Sequence, residues 1–372
     1  MSSSYKKEHK QRILFFPFDL MSHYLRCLEL AKQYPNSEIL FSSSLKYSNY
    51  IEKEGYNTFY VEDFDPDVVM ECAAKFDFSW LNFKDIQRVF LSQVEVIKEL
   101  KPDLVIGDTS PTLKMAAEFT GVPYVALMNG YMSKHYKNVR ALSKTHPGNV
   151  HLSKLPPKVS KQIIKFAEAI SFRIVHKPFK KVRRMYELKR VSNYINEMEG
   201  DENMICDHEY LFPQNNLPSH YKIIGPLMYK TFREESELLS QIDPNKKTIC
   251  VCMGSSGNWE KLSFLSSNKY SEYNIITAGD LQKKISGDHV INKDFIALES
   301  VLPHCALLIC HGGNGTIYHG IENKIPTLCL TNHFEQEWNV QQLEALKLGI
   351  CIDDDPEEKI DTYLKTKQAA RN

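Results

Sequence analysis

The sequence predicts an α/β protein made of two doubly wound parallel-sheet domains. Three observations carry this. Short apolar runs with little alternation, such as RILFF (12–16), DLVI (103–106) and ALLIC (306–310), are separated by segments of helical period. Strands apolar on both faces suit a parallel sheet covered by helices on both sides. The alternating series stops over residues 130–200 and starts again at TICVCMG (248–254). At 372 residues the chain is long enough for two domains of ~150 residues each.

In chain order, RILFF predicts the first strand, and a helix follows from Ser22 with Leu25, Leu28 and Ala31 on one face. EILF (38–41) and TFYV (58–61) predict the next strands, around a helix near 44–54 that Gly55 stops. A longer helix is predicted at 84–99, where Ile86, Val89, Phe90, Val94 and Ile97 recur at 3.6-residue spacing until Pro102 ends it. Strand 103–106, helix 111–119 and strand 122–127 complete the first series. Residues 130–200 predict two helices and no strand. Residues 211–229, rich in Pro and Asn, read as an inter-domain linker. The second series has strands at 248–254, 273–279, 306–310 and 325–330, and a helix at 335–348 that stops at Gly349. The expected boundaries are 1–215, a linker at 216–245, and 246–372, with the two domains facing each other across a cleft.

Composition narrows the function classes. Lys and Arg number 46 against 46 Asp and Glu, so the balance argues against a dedicated nucleic-acid binder. An apolar share of 42% and a charged share of 25% exclude low-complexity and fibrous classes. The nine cysteines show no CxxC and no zinc spacing, which reads as reduced core thiols in a cytoplasmic protein. The first apolar run is short for a signal segment, and no run approaches ~18 apolar residues. The expectation is a cytoplasmic protein, at most peripheral on the inner face of a membrane.

The sharpest motif is ALLICHGGNGTIYHG (306–320). A buried strand ends at Cys310, and a helix begins near 314–316. Ligands of parallel α/β sheets bind outside the carboxyl ends of strands. A helix N-terminus there offers unpaired N–H groups and the positive end of the helix dipole. Glycine lets a phosphate approach the backbone, and His311 can add a donor. A glycine-rich turn beside a satisfied histidine is the competing reading. MGSSG (253–257) also follows a strand, and two phosphate-type loops in one unit suit a pyrophosphate. Neither a Walker A sequence nor a GxGxxG after the first strand is present.

Residues 295–349, FIALESVLPHCALLICHGGNGTIYHGIENKIPTLCLTNHFEQEWNVQQLEALKLG, resemble the nucleotide-sugar signature of family 1 glycosyltransferases. That group includes the UDP-glycosyltransferases and the macrolide-type enzymes. The resemblance rests on Phe295, the LLIC-HGG-x-GT core, Pro326, the Glu335-Gln336 pair, Asn339 and Gly349. In the N-terminal half, SHYLRCLELA is similar to the family's GH-x-x-P-x-x-x-L-A stretch. KPDLVIGD, AAEFTGVPYVAL and IIGPL (223–227) match further segments, so the resemblance covers about 11–350. It implies the GT-B fold, with two Rossmann-like domains. The N-terminal one would bind an acceptor and the C-terminal one a nucleotide sugar, a UDP- or dTDP-sugar acting as substrate. No cofactor and no metal are implied.

The resemblance also implies roles. His23 falls on the general base and Asp108 on the aspartate that orients it. Ser255, His311, Gly313, Asn314, Gly315 and Thr316 fall on the diphosphate cradle. Phe295 and Ile296 fall at the donor base, and Glu335 and Gln336 at the donor sugar. Ser22 stands where the family has glycine, Glu335 where it has aspartate, and His319 where plant-type members carry a ribose-binding Glu. The implied activity is inverting transfer of a hexose to a hydroxyl of a small-molecule or lipid acceptor. A nucleotide-sugar epimerase or hydrolase on the same fold, or a binding protein without turnover, are the alternatives.

Charge is unevenly placed. Residues 131–190 hold 16 Lys and Arg against two acids, Glu168 and Glu187, an excess of 14. Either this is a solvated face, or it meets an anionic lipid surface or an acidic acceptor. HKPFKKVRRMYELKR (176–190) suits lipid docking, because Phe179, Val182, Met185 and Tyr186 fall at helical spacing among basic residues. His135, His146, His151 and His176 lie here without ligand spacing and read as surface or loop residues.

Overall fold

The computed structural model describes residues 10–369 apart from 145, 147, 153, 232, 255–256 and 280–284. The chain forms two compact units. The first contains residues up to Val69, Phe78–Val139 and Lys161–Tyr229, and the second Met70–Asp77, Arg140–Ser160 and the chain from Lys230.

In the first unit the strands are β1 (Arg12–Pro17), β2 (Glu38–Ser42), β3 (Asn57–Phe59), β4 (Leu104–Asp108), β5 (Tyr124–Met128), β6 (Glu202–Ile205) and β7 (Tyr221–Ile223). They form one sheet in the order β3-β2-β1-β4-β5-β6-β7, every pair parallel. The helices along the first half of the chain are α1 (Met21–Ala31), α2 (Ser48–Lys53), α3 (Pro66–Ala74), α4 (Phe83–Leu100), α5 (Leu113–Thr120), α6 (Asn149–Leu152), α7 (Pro157–Val175), α8 (Lys177–Met185) and α9 (Tyr194–Glu197).

Why β1 is apolar throughout is visible in its packing. Leu14 and Phe16 enter one cluster with Ile86, Val89, Phe90, Val94 and Ile97 of α4. Ile13 and Phe15 point the other way, to Tyr24, Cys27 and Leu28 of α1. Successive side chains of a strand face opposite sides, so a strand covered twice cannot alternate. Asn82 caps α4 by accepting the Asp85 N–H at 3.1 Å, and Lys101 ends it in the left-handed region with φ 47°.

In the second unit β8 (Lys247–Gly254), β9 (Tyr273–Gly279), β10 (Val290–Lys293), β11 (Leu307–Cys310), β12 (Thr327–Cys329) and β13 (Gly349–Cys351) form a parallel sheet ordered β10-β9-β8-β11-β12-β13. Its helices are α10 (Ser236–Leu239), α11 (Leu298–Val301), α12 (Asn314–Glu322), α13 (Phe334–Ala345) and α14 (Pro356–Ala369). The core is centred on Ile249, Val251, Ile275, Leu307 and Ile309.

Four expectations are corrected. The segment read as a linker carries β7, the edge strand of the first sheet, and Leu211 and Phe212 before it are buried. The contiguous split at 215 misses two stretches that pack on α13. Ser143 Oγ donates to Glu337 Oε1 at 2.9 Å, the Lys144 N–H donates to Glu337 Oε2 at 2.8 Å, and Trp338 Nε1 donates to the Ala141 carbonyl at 2.7 Å. Phe76 meets Phe334 edge-on at 5.1 Å. Of the α8 residues named for lipid docking, Phe179 and Val182 face inward at 0% exposure, and only Met185, at the end of the helix, is exposed. His176 is buried too: its Nε2 lies 2.6 Å from Glu197 Oε1, and Arg183 binds both oxygens of Glu197 and reaches Glu118 Oε2 at 2.7 Å. The buried charges of α8 are thus paired, as burial demands.

None of the nine cysteines is in a disulfide. Among the described residues no helix is long and apolar enough to cross a membrane.

Candidate functional site

Each sheet reverses its strand order once, and the motif residues gather at these two places. In the first sheet β1 connects to β2 on one side and β4 adds on the other, so the crevice beyond β1 and β4 is a switch point. Pro17 pairs with Asp108, and the Phe18 N–H donates to the Asp108 carbonyl at 2.9 Å. The backbone therefore fixes the aspartate at the mouth of the crevice. His23 enters it from the first turn of α1.

Here the structure joins His23 and Asp108, with Nδ1 3.0 Å from Oδ1. It adds a residue that sequence reasoning missed. Arg26 donates through Nε and Nη2 to both oxygens of Asp108, and through Nη1 to Asn129 Oδ1. Its Nη1 also lies 3.4 Å from Cys206 Sγ. Asp108 is fully buried. Burial pushes its carboxyl up, but Arg26 and then His23 outweigh that and hold it at about 2. The guanidinium is raised above its ordinary value: burial opposes this, and the Asp108 charge prevails.

An ionised carboxylate only accepts, so the His23 contact assigns the imidazole proton to Nδ1 and leaves Nε2 as an acceptor. Arg26 Nη2 lies 3.1 Å from the same Nδ1 and competes for that position. The signal for Arg26 was its spacing: three residues after His23 on a helix, it shares the same face. It stands where the SHYLRCLELA comparison has proline.

The second switch point lies between β8 and β11, with the Gly254 loop after one strand and HGGNGT after the other. Gly313 is the N-cap of α12, and Asn314, Gly315 and Thr316 form its first turn. The glycines serve different neighbours. A Cβ on Gly254 would lie 2.8 Å from His311 Cε1, and one on Gly313 would overlap the same ring. These two make room for the imidazole. Gly312 has φ +83°, and its Cβ would lie 2.7 Å from Val340 Cγ2 of α13. Only Gly315 of this group faces open space. Its backbone, in the first turn of α12, is therefore open to solvent.

His311 is the histidine that the sequence expects to add a donor. It keeps some solvent exposure, but protein surrounds it closely, and burial pushes its pKa down to about 4. Nδ1 sits 3.5 Å from the Cys252 carbonyl. At neutral pH the ring is uncharged, so a charge-assisted bond requires the ligand itself to draw a proton onto it. His333, the N-cap of α13, is pushed down to about 3, first by burial and then by His311. Its Nδ1 is buried with no hydrogen-bond partner among the described residues.

The remaining candidates divide. Thr316 is buried, with Oγ1 3.9 Å from Cys252 Sγ. Gln336 is buried and accepts the Asn332 N–H at 2.7 Å, while Glu335 beside it is partly exposed. Asn339 Nδ2 donates to the Gly312 carbonyl at 2.9 Å and ties α13 to the loop. Ile296 is buried and Phe295 half-buried just after β10. His319 is buried, and burial lowers its pKa. Ser255 lies outside the described residues. Among the described residues no group of three or more His, Cys, Asp or Glu is placed to hold a metal ion.

No protein-family model matches the chain. Among solved structures it is similar to CalG4, the calicheamicin glycosyltransferase, with TM-score 0.63 and 15% identity over 92% of this chain and 85% of that one. The chain has the GT-B fold. A second GT-B structure, the glycosyltransferase VinC in complex with dTDP, gives TM-score 0.61 at 16% identity over 95% of this chain and 90% of that one. In sequence the chain is similar to the PGL/p-HBAD biosynthesis rhamnosyltransferase of Mycobacterium bovis, 21% identical over 275 residues, 72% of this chain. The match spans 60% of that relative's length.

Proposed function

We propose that this GT-B chain is an inverting glycosyltransferase that moves a hexose from a nucleoside diphosphate sugar to an acceptor hydroxyl. The observation that carries the reading is the His23–Asp108 contact at the first switch point. A hydroxyl is a weak nucleophile, and an imidazole with a free Nε2 is a well-matched base near neutral pH. In this reading Nε2 takes the acceptor proton as the oxygen attacks the anomeric carbon. The C–O bond to the diphosphate breaks, and the electron pair leaves with the phosphate oxygen. Asp108 holds the Nδ1 proton in place and balances the imidazolium that forms, as in the Ser-His-Asp arrangement.

The N-terminus of α12, with Gly315 open to solvent, would receive the departing negative charge. Preorganised donors of this kind are worth ~3 kcal/mol each. This stabilisation asks for no metal and no resident cofactor. Phe295 and Ile296 are assigned to the base, and Glu335 and Gln336 to the sugar hydroxyls. The dTDP in VinC and the rhamnosyltransferase name of the relative favour a dTDP-sugar, with UDP-sugars second. Nine reduced thiols favour the cytoplasm.

Transfer from dTDP-rhamnose and UDP-glucose to a panel of hydroxyl acceptors, lipid and acidic ones included, tests the reading. The expected product has the opposite anomeric configuration by proton NMR. His23→Ala should lower transfer by ~10³–10⁴-fold. Retained configuration, or near-normal transfer in His23→Ala, would overturn it.

A further inference from the structure

The helix that the sequence pointed to for lipid docking turns its apolar side inward, but its neighbour does not. α7 carries Ile163, Phe166, Ile170 and Ile174 at intervals of three and four residues. At ~100° per residue these four fall within an arc of ~80°. All four are exposed, Phe166 to 70%. The helix is held from its other side, where Phe172 and Val175 pack against the first core and Ile164 and Ala167 are half-buried. α7 is therefore apolar on two faces, and one of them is bare. A contiguous apolar row of this kind on a surface marks an interaction site.

Charge says what kind. Lys158, Lys161, Lys165, Arg173 and Lys177 are exposed along and just beyond the helix, against the single acid Glu168. Around them, residues 131–190 carry an excess of 14 positive charges. Some are compensated inside the fold, as Arg183 is by Glu197 and Glu118, and Lys134 is by Glu199. The lysines of α7 project from a helix with almost no acid of its own. A second copy of the chain would bring the same excess and be repelled. A sheet of anionic headgroups over an apolar interior matches both features.

We propose that α7 is an interfacial helix that docks the protein on an anionic bilayer. Ile163, Phe166, Ile170 and Ile174 enter the acyl boundary, Arg173 and Lys177 lie beside that row at the headgroups, and the lysines on the far side of the helix add longer-range attraction to the anionic surface. At ~1.5 Å per residue its 19 residues span ~28 Å, and its charge keeps it along the surface instead of across it. This goes beyond the transfer reaction and stands whether or not that reading holds.

The test is co-sedimentation of the full chain with phosphatidylglycerol-containing and pure phosphatidylcholine vesicles, at low and high salt. Binding to the anionic vesicles only, weakened by salt, is expected. Phe166→Ser with Ile170→Ser should reduce it about tenfold or more, and Arg173→Glu with Lys177→Glu similarly. Leu45→Ser, at an exposed apolar residue elsewhere, should leave it unchanged. Thermal midpoints equal to wild type show that the variants are folded. Absent binding, equal binding to both vesicle types, or binding unchanged in both double variants would overturn the proposal. So would a dimer in sedimentation that the Phe166 and Ile170 changes dissociate.

Discussion

The two switch points sit at equivalent places in two similar sheets, yet they are built on opposite electrostatic plans. The first is ionic and internally saturated. Asp108, buried and ionised, is shared between His23 and Arg26, and Asn129 takes a further guanidinium hydrogen. The second is neutral. His311 and His333 are both held uncharged by burial, and the loop is shaped by glycines around them. A crevice that must hold one proton on one nitrogen needs fixed charges in place beforehand. A crevice that receives an anion can leave its own charge low and let N–H groups and the ligand supply the field.

Removing Arg26 should have the largest effect on the first crevice. If the first crevice depends on an internal ion pair, Arg26→Ala leaves the buried Asp108 without its guanidinium, beside His23, Thr109 and Cys27. Truncating one partner of a buried pair costs ~3–5 kcal/mol. Chemical denaturation should show a loss of that size, and Arg26→Lys should recover only part of it because a single ammonium cannot bind both oxygens. A loss below ~1 kcal/mol, the scale of an exposed pair, would mean that Arg26 is ordinary surface charge.

Acid titration of stability separates the two plans next. Asp108 titrates at about 2 in the fold against an ordinary 3.8. Its contribution is present above pH ~4 and is lost as pH falls through ~2, amounting to about 2 kcal/mol. His311 titrates at about 4 against 6.5, so the unfolded chain takes up its proton first. That contribution is lost between pH ~6.5 and ~4. Two descending steps in the unfolding free energy are therefore expected. Asp108→Asn should lower the starting stability and remove the lower step, and His311→Gln should remove part of the upper one. A single step unaffected by His311→Gln would contradict the neutral second crevice.

Much of this was legible in the sequence where burial was two-sided and local. β1, β4, β5, β8 and β11 announce themselves because both faces are covered, and α4 because its apolar residues keep period along 18 residues. The strands β6, β7, β10 and β13 did not, since they run to three or four residues and carry polar or half-exposed positions such as Glu202, Lys222 and Asn292. HGGNGT could be placed because it follows a strand, and His23 and Asp108 because the resemblance to family 1 glycosyltransferases falls on them. Arg26 could not, because its partner lies 82 residues away and a helical arginine ordinarily reads as surface. The segment 176–190 was misread for a similar reason. α8 hides Arg183 in a buried ion pair, whereas α7 shows its second apolar face only once the first is known to be packed.

The proposed function divides the labour: in that proposal the second crevice holds the donor diphosphate and the first does the proton chemistry. Calorimetric titration of dTDP into wild type, Gly315→Ala and His23→Ala tests it most directly. Gly315 is the glycine of the loop whose Cβ would enter open space, so its substitution should obstruct the diphosphate while leaving the thermal midpoint in place. The account predicts about tenfold weaker dTDP binding in Gly315→Ala and wild-type affinity in His23→Ala. Unchanged affinity in Gly315→Ala, or a loss in His23→Ala instead, would contradict it.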